Sequence, residues 1–441
     1  MLLDLLYLLA GLLLTPYFAY RRWVKGKLSA PLSQRLGLVP ERESGKPRIW
    51  IHAVSVGEAA AAETLIKALH ERQPEFDVVV STTTVTGQEV ARKRYGADKV
   101  FHYPLDLSWV VRRALDRVRP TALVLMELEV WPNMTAQAAL RGLPIIVVNG
   151  RISERAFRRY KRFWFLVGPS FRRVTRWLVQ SDEYAARLKE LGVSDDRIEI
   201  SGNIKYDAID VRLPSPEERQ SAREKLGLSS DAPVLIGGST HPTEEAALLD
   251  CFKQLRATTV PSLQLVLVPR HPERAAAVEQ EISAAGFARV RFSSLQSAAK
   301  SQEPRAKSQE PSVLLVDTVG VLKDAYKAAD VAFVGGSLIP HGGQNPMEPC
   351  GLGVPIVHGR HMHNFADAMA ILRSCDGSVE VSKESLTKEI EKLLLRSESA
   401  KAMAGRARNG FLARQGATAR AAECLGDMLR MRESKRIRLL T

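Results

Sequence analysis

The stretch WIHAVSVGE, Trp50 to Glu58, passes from an apolar strand through a small-residue turn into a helix. Ile49, Trp50, Ile51 and Val54 carry the strand pattern, while Ser55, Gly57 and the alanines Ala59 to Ala62 suit a tight turn and a closely packed helix. In an open parallel sheet, ligands meet the chain just past the carboxyl ends of strands, where the amides of the next helix add positive potential. Glu58 stands at such a point and is a candidate catalytic base. Complementing the helix dipole would need the same residue there, so the rest of the chain has to decide.

Downstream, short apolar runs alternate with helical stretches: Phe76 to Ser81, Ala122 to Met126, Ile145 to Val148, Trp177 to Gln180 and Ile198 to Ile200. Asp207 to Pro233, with Pro214 and Pro216, reads as a linker. A second alternation follows, with strands at Val234 to Ile236, Leu263 to Val268, Val313 to Val316, Val331 to Val334 and Pro355 to Val357. The pattern predicts an α/β protein with two Rossmann-like domains facing across a ligand-binding cleft. The predicted boundaries are 23–207, a linker at 208–232, and 233–441. Met1 to Tyr20 are mostly apolar and are followed at once by Arg21, Arg22, Lys25 and Lys27, which predicts an N-terminal membrane anchor helix over 1–22 with the folded body on the cytoplasmic side. A cleaved signal peptide would carry its positive charge before the apolar run.

The chain carries 63 Lys and Arg against 49 Asp and Glu, a formal charge of +14, which points to an anionic partner. Its four cysteines, Cys251, Cys350, Cys375 and Cys424, form no close pairs and suggest neither a disulfide framework nor a zinc knuckle. His358, His361 and His363 lack a companion carboxylate or cysteine, so they fit sugar contact or loop packing better than metal. From Arg151 to Arg176 nine basic residues face one acid, Glu154, with aromatic rings interleaved. That mixture suits a membrane surface with anionic head groups, or single-stranded nucleic acid, or a merely solvated amphipathic face, and the adjacent anchor favours lipid. The two copies of KSQEP, Lys300 to Pro304 and Lys307 to Pro311, read as an exposed insertion. The basic run Arg430 to Arg438 lies on final helices that often return to the first domain in folds of this kind.

Several strand-end loops carry polar residues. STTTVTG, Ser81 to Gly87, could hold sugar or phosphate oxygens or cap the next helix. MELEVWPN, Met126 to Asn133, sets Glu127 and Glu129 beside a tryptophan. GGSTHPTEE, Gly237 to Glu245, offers Ser239, Thr240 and free amides at a helix start. In VPRHPER, Arg270 follows Pro269 at a strand end, where its fork could grip phosphate. DTVGV, ending Val319, Gly320 and Val321, is a compact turn suited to a base. In GGQNPMEP, Asn345, Pro346 and Glu348 match a helix cap, first turn and third position, with Met347 between them. A carboxylate there could take a ribose diol, and Gly342 and Gly343 would admit the ligand.

WIHAVSVGE, MELEVWPN, VNGRIS, SGNIKYD, GGSTHPTEE, VPRHPER and GGQNPMEP, in this order, resemble the transferases of 3-deoxy-D-manno-octulosonic acid (Kdo), over nearly the whole chain. The resemblance implies a glycosyltransferase B fold with an acceptor domain first and a CMP-sugar domain second. It also implies transfer of Kdo from CMP-Kdo to the lipid A precursor in lipopolysaccharide synthesis at the inner membrane, with no nicotinamide or flavin cofactor; the residues themselves, as read above, add the expectation of no metal and no nucleic-acid partner. By motif, Glu58 would be the proton acceptor, Glu127 and Lys205 would stabilise the transition state, and Pro269–Arg270, Val319–Val321 and Asn345–Glu348 would bind CMP. The chain has Val321, Gln344 and Thr243 where that family usually shows Glu, often His, and usually Gly. A carboxylate that takes the acceptor proton while a phosphate departs from the opposite face inverts the anomeric centre. Charge on the departing phosphate would be met by Arg270, amides near Ser239 and Thr240, and Lys205. A UDP-sugar transferase or epimerase, or a noncatalytic membrane-bound polyanion-binding protein, are the competing readings.

Overall fold

The computed structural model describes residues 3–9, 12, 13, 31–41, 45–301 and 312–438, with no side-chain account for 298–301, 312 and 431–438. The expected anchor and the basic residues after it fall largely outside that range, as does most of the KSQEP duplication. Among the described residues no helix is long and apolar enough to cross a membrane. The chain forms two compact units, one reaching Ala208 and joined by the segment from Arg414, the other spanning Ile209–Ala413.

The first unit holds β1 (Arg48–His52), β2 (Asp77–Thr82), β3 (Val100–His102), β4 (Ala122–Met126), β5 (Ile145–Gly150), β6 (Arg176–Val179) and β7 (Ile198–Ile200), in the order β3-β2-β1-β4-β5-β6-β7. All neighbours are parallel. The helices used below are α1 (Val56–Arg72), α2 (Val85–Tyr95), α3 (Ser108–Val118), α4 (Pro132–Leu140), α5 (Glu154–Arg162) and α6 (Trp164–Arg173). Alternate strand residues feed two cores, as a sheet covered on both faces requires. Trp50, Val79, Leu123, Leu125, Val147 and Trp177 pack with Val111 and Leu115 of α3, Met134 and Ala138 of α4, and Phe171 of α6. Ile49, Ile51, Val78, Val80, Val124 and Ile146 pack with Ala59, Ala62 and Leu65 of α1.

The C-terminal helix, Ala417–Arg438, belongs to that second core through Ala417, Ala421, Ala422, Leu425 and Leu429. The second unit therefore ends at Ala413 rather than at 441. The physical reason is a stripe of small apolar residues that fits the alanine-rich face of α1. Asp207 anchors the return by accepting from the backbone of Gly416 at 2.6 Å and of Thr418 at 2.5 Å.

The second unit repeats the plan with β8 (Val234–Thr240), β9 (Gln264–Pro269), β10 (Ala288–Arg291), β11 (Ser312–Leu315), β12 (Val331–Val334), β13 (Ile356–His358) and β14 (Val379–Glu380). Their order is β10-β11-β9-β8-β12-β13-β14, again parallel. Its helices include α7 (Pro216–Lys225), α8 (Glu244–Ala257), α9 (Leu322–Ala328) and α10 (Met347–Gly351). The expected linker thus contains α7, started by a Ser215–Glu218 capping box with proline in the first turn. Arg223, buried on α7, and Arg219 both reach Asp330, at 2.8 and 2.5 Å, so the segment is part of the unit. Proline, serine and charge made it look like loop when they mark a well-started helix.

Candidate active site

In each unit the strand order reverses beside the first strand, between β1 and β4 and between β8 and β12, and ligands of open α/β sheets bind at such points. Glu58 lies at the first of them. Ser55 caps α1, accepting from the Glu58 amide at 3.3 Å, and its hydroxyl donates to Glu58 Oε1 at 2.9 Å. The Val54 amide donates to Oε2 at 2.9 Å. The carboxylate is thus both a helix-cap partner and a buried acid, only 8% exposed. Burial raises its pKa, with the charge of Glu127 adding to the rise and the Val54 and Ser55 donors opposing it.

Glu127 follows the last residue of β4 with φ of 57°. The left-handed turn takes it out of the strand's alternation, so the expectation that Glu127 and Glu129 share a strand face does not apply. Arg151, just past β5, donates to Glu127 Oε2 at 2.8 Å. Glu129 accepts from Trp131 Nε1 at 2.9 Å, and its carboxyl is pushed up to about 7, by burial first and then by the charge of Glu58. Three carboxylates on the ends of adjacent strands therefore share one electrostatic field, with one guanidinium at its edge. Lys205 is exposed on the short helix Ile204–Asp207, whose Ile204 packs in the same core as Ala59 and Ala62 of α1. Asn149, at the end of β5 with φ of 59°, holds that helix by accepting from the Ile204 amide at 3.1 Å.

Residues that sequence reading missed surround this field. His52 of β1 stacks on Tyr103 with ring centroids 3.8 Å apart, and Tyr103 meets Trp131 at 6.3 Å. Arg35 donates to the Thr83 and Tyr103 carbonyls at 2.7 and 3.0 Å, and its charge adds to burial in holding His52 down to about 3. Asp106 accepts from the Asn133 and Met134 amides, both at the start of α4, and burial pushes it up to about 6. Asp4 accepts from Ser108 and from the Asn133 side chain, tying residues 3–9 to the same place. Such partners lie far apart in sequence and leave no local pattern; the asparagine before glycine in VNGRIS was the one visible sign, since Asn tolerates positive φ.

The hydroxyls of STTTVTG are mostly spent inside the unit. Thr84 caps α2 through the Gly87 amide, and Ser81 Oγ takes Trp50 Nε1 at 2.7 Å and meets His52 Nδ1 at 3.0 Å. In the basic aromatic segment, Phe157, Phe171 and Trp177 are core, whereas Phe163 and Phe165 are exposed beside Arg158, Arg159 and Arg162.

In the second unit, Ser239 and Thr240 end β8 and Pro269 ends β9, where the Arg270 amide donates to the Thr240 carbonyl at 3.0 Å. Glu244, fully buried, accepts from the amides of His241, Gly336, Ser337 and Leu338 at 2.7 to 3.0 Å, fastening the loop after β12 to the loop after β8. Val319 is exposed and Gly320 has φ of 87°, so glycine is required in that turn, and Val321 starts α9. Tyr326 of α9 stands against Gly238 of β8, where a Cβ would lie 1.9 Å from its hydroxyl.

Asn345 does not cap α10 in the expected position, because Pro346 intervenes with helical angles. Instead its Oδ1 accepts from the Met347 amide and its Nδ2 donates to Glu348 Oε1, both at 3.0 Å, which aims the carboxylate. Gly342 and Gly343 make room for protein: a Cβ would meet Asn364 Nδ2 and Met362 Sδ, each at 2.3 Å. His358 is engaged by the Gly359 carbonyl and Ser378.

Two doubly wound sheets, one with clustered strand-end acids and the other with glycine-rich strand-end loops, define a two-unit α/β enzyme. Residues 30–208 match the family described as 3-Deoxy-D-manno-octulosonic-acid transferase (kdotransferase). A 3-deoxy-D-manno-octulosonic acid transferase of Haemophilus influenzae is 34% identical over 375 residues, 83% of this chain and 84% of that protein. The Chlamydophila psittaci transferase of the same description is 31% identical over 395 residues, 89% and 88% of the two chains. In fold alone, the crystal structure of UDP-GlcNAc 2-epimerase from Neisseria meningitidis bound to UDP-GlcNAc is similar, with a TM-score of 0.55, 12% identity, and coverage of 86% of this chain and 100% of that one. The chain belongs to the 3-deoxy-D-manno-octulosonic acid transferase family and is a glycosyltransferase. A noncatalytic polyanion binder is thereby ruled out.

Proposed function

We propose that the protein transfers Kdo from CMP-Kdo to a hydroxyl of the lipid A precursor, with inversion at the anomeric carbon. The observation that carries this reading is Glu58: a buried strand-end carboxylate, raised in pKa and fixed by two donors, with two further acids in its field. A sugar hydroxyl is a poor nucleophile, and a carboxylate whose affinity for protons has been increased is the better base for it. The acceptor proton passes to Glu58 as the oxygen bonds to the anomeric carbon. The bond from that carbon to the phosphate oxygen breaks, and CMP leaves with the electron pair.

Glu127, held by Arg151, and Lys205 act on the charge that develops during transfer. Arg270 and the amides near Ser239 and Thr240 take the phosphate, Glu348 aimed by Asn345 takes the ribose diol, and the turn Val319–Val321 lies against the base. The exposed Phe163 and Phe165 among arginines support an acceptor carrying both phosphate and acyl chains, held at the cytoplasmic face of the inner membrane. Incubation with CMP-Kdo and the tetraacylated precursor, followed by mass spectrometry and NMR of the anomeric centre, tests the proposal. A product heavier by whole Kdo units with inverted configuration supports it; a retained configuration, or transfer from a UDP-sugar instead, overturns it.

A further inference from the structure

We infer that His241, His271 and His341 form a cradle in the second unit that takes up a proton when the nucleotide's phosphate binds. This rests on the nucleotide reading above. The three rings come from the ends of β8 and β9 and from the loop after β12. His241 and His341 have ring centroids 4.1 Å apart, and His241 and His271 6.2 Å.

His241 is 5% exposed, and its Nδ1 lies 3.1 Å from the Ser239 carbonyl, which can only accept. Nδ1 therefore carries the hydrogen and Nε2 presents a lone pair. That nitrogen is buried without a hydrogen-bond partner, as is the Thr240 hydroxyl beside it. The loop holding them is strained: Ser239 has φ of 52° and Thr243 of 79°, neither being glycine. A Cβ on Gly336 would lie 3.4 Å from the His241 ring, so the backbone after β12 stands within packing range of it.

The carboxylates facing this group are both engaged by other donors, although Glu244 Oε2 also lies 4.0 Å from His241 Nδ1. On α8, Glu244 is occupied by four backbone amides and Glu245 by Arg274 at 2.7 Å. From β9 come the exposed Arg270 and His271, and from the loop after β12 the exposed His341. Burial and the neighbouring imidazoles hold His241 below its ordinary value. A bound oxyanion reverses that balance, because an opposite charge within a few ångström favours the protonated form. With the added proton the two facing imidazoles share one N–H across His241 Nε2 and keep another for an anionic oxygen, an arrangement that satisfies the buried nitrogen. Both phosphate and the carboxylate of the transferred sugar acid are oxyanions; phosphate is assigned because Arg270 and the β8-end amides converge on the same loops.

The test is isothermal titration of the full-length protein with CMP near pH 6 and near pH 8, comparing wild type with His341→Asn and His271→Asn, both at exposed positions. The nucleotide's own titration is common to all proteins and cancels in the ratio of affinities. The wild type is expected to bind about tenfold more tightly than His341→Asn near pH 6, with the ratio closing toward one near pH 8, as for one proton stabilised by about one pKa unit. A ratio unchanged between the two conditions overturns the inference. If free Kdo shows the pH-dependent ratio and CMP does not, the phosphate assignment is wrong. If uridine monophosphate shows it while CMP fails to bind, the cytidine reading falls and the histidines stand. If none of the three ligands binds, both fall.

Discussion

The two switch points occupy the same topological position on two sheets of the same strand plan, yet they carry opposite chemistry. At the first, Glu58, Glu127 and Glu129 crowd one field with Arg151 at its edge. At the second, the carboxylates are tied up by amides and Arg274, and imidazoles and Arg270 face the loops. The sheet decides where a ligand meets the chain; the few residues after each strand decide whether a proton is taken or an anion held.

The contrast breaks most severely if the second switch point loses Glu244. Glu244→Ala leaves four buried amides without an acceptor and is expected to cost about 3–5 kcal/mol. Urea unfolding measures the loss, and hydrogen exchange should locate it at residues 335–338 first. Glu244→Gln, which keeps an acceptor oxygen, should cost less.

A pH experiment sharpens the first switch point. Glu129 is raised from 4.5 to about 7, so the folded chain holds its proton where the unfolded chain has released it. Stability from that group is complete below about pH 4.5 and is lost as pH rises through about 7. Glu129→Gln should therefore gain about 2 kcal/mol relative to wild type between about pH 5 and about pH 8, read from urea midpoints. His52 and His102, held down to about 3 and about 4, titrate with the opposite sign, so the difference between variant and wild type isolates Glu129.

A smaller effect concerns the guanidinium at the edge. Arg151→Met leaves Glu127 uncompensated, and its charge already raises Glu58. The acid limb of the pH–rate profile should move to higher pH, with a few-fold loss of kcat/KM on the acid side. The smallest change is expected at Thr243, a β-branched residue at φ of 79°. Thr243→Gly should relieve about 1 kcal/mol of backbone strain and raise the melting temperature by a few degrees.

What was legible in the sequence was whatever repeats locally. The strands of both sheets are short apolar runs because their two faces are covered, and the residues just past them were visible as turns with polar character. Asp317 to Val321 and Gly335 to Gly353 could be placed at strand ends for that reason. Three short strands, β3, β10 and β14, escaped notice: VFH, ARVR and VE mix polar or charged residues into two to four positions and show no apolar run. The helix inside the expected linker was hidden by its own start signals, Ser215, Pro216 and Glu218. The return of Ala417–Arg438 to the first core depends on alanines meeting alanines across more than three hundred residues of chain, which no local period encodes. The same holds for Arg151 beside Glu127, His52 under Tyr103, and the three histidines of the second unit: each is unremarkable alone and acquires its chemistry from its neighbour.

The most direct test of the central claim is the initial rate of Kdo transfer by Glu58→Gln, measured beside its affinity for CMP. Glutamine preserves the shape, its one oxygen can accept from the Val54 amide and its NH2 can donate to the Ser55 hydroxyl, but it cannot take a proton. Transfer is expected to fall about 10²- to 10⁴-fold while CMP binding stays at the wild-type level. Undiminished transfer by that variant would contradict the assignment of Glu58 as the base.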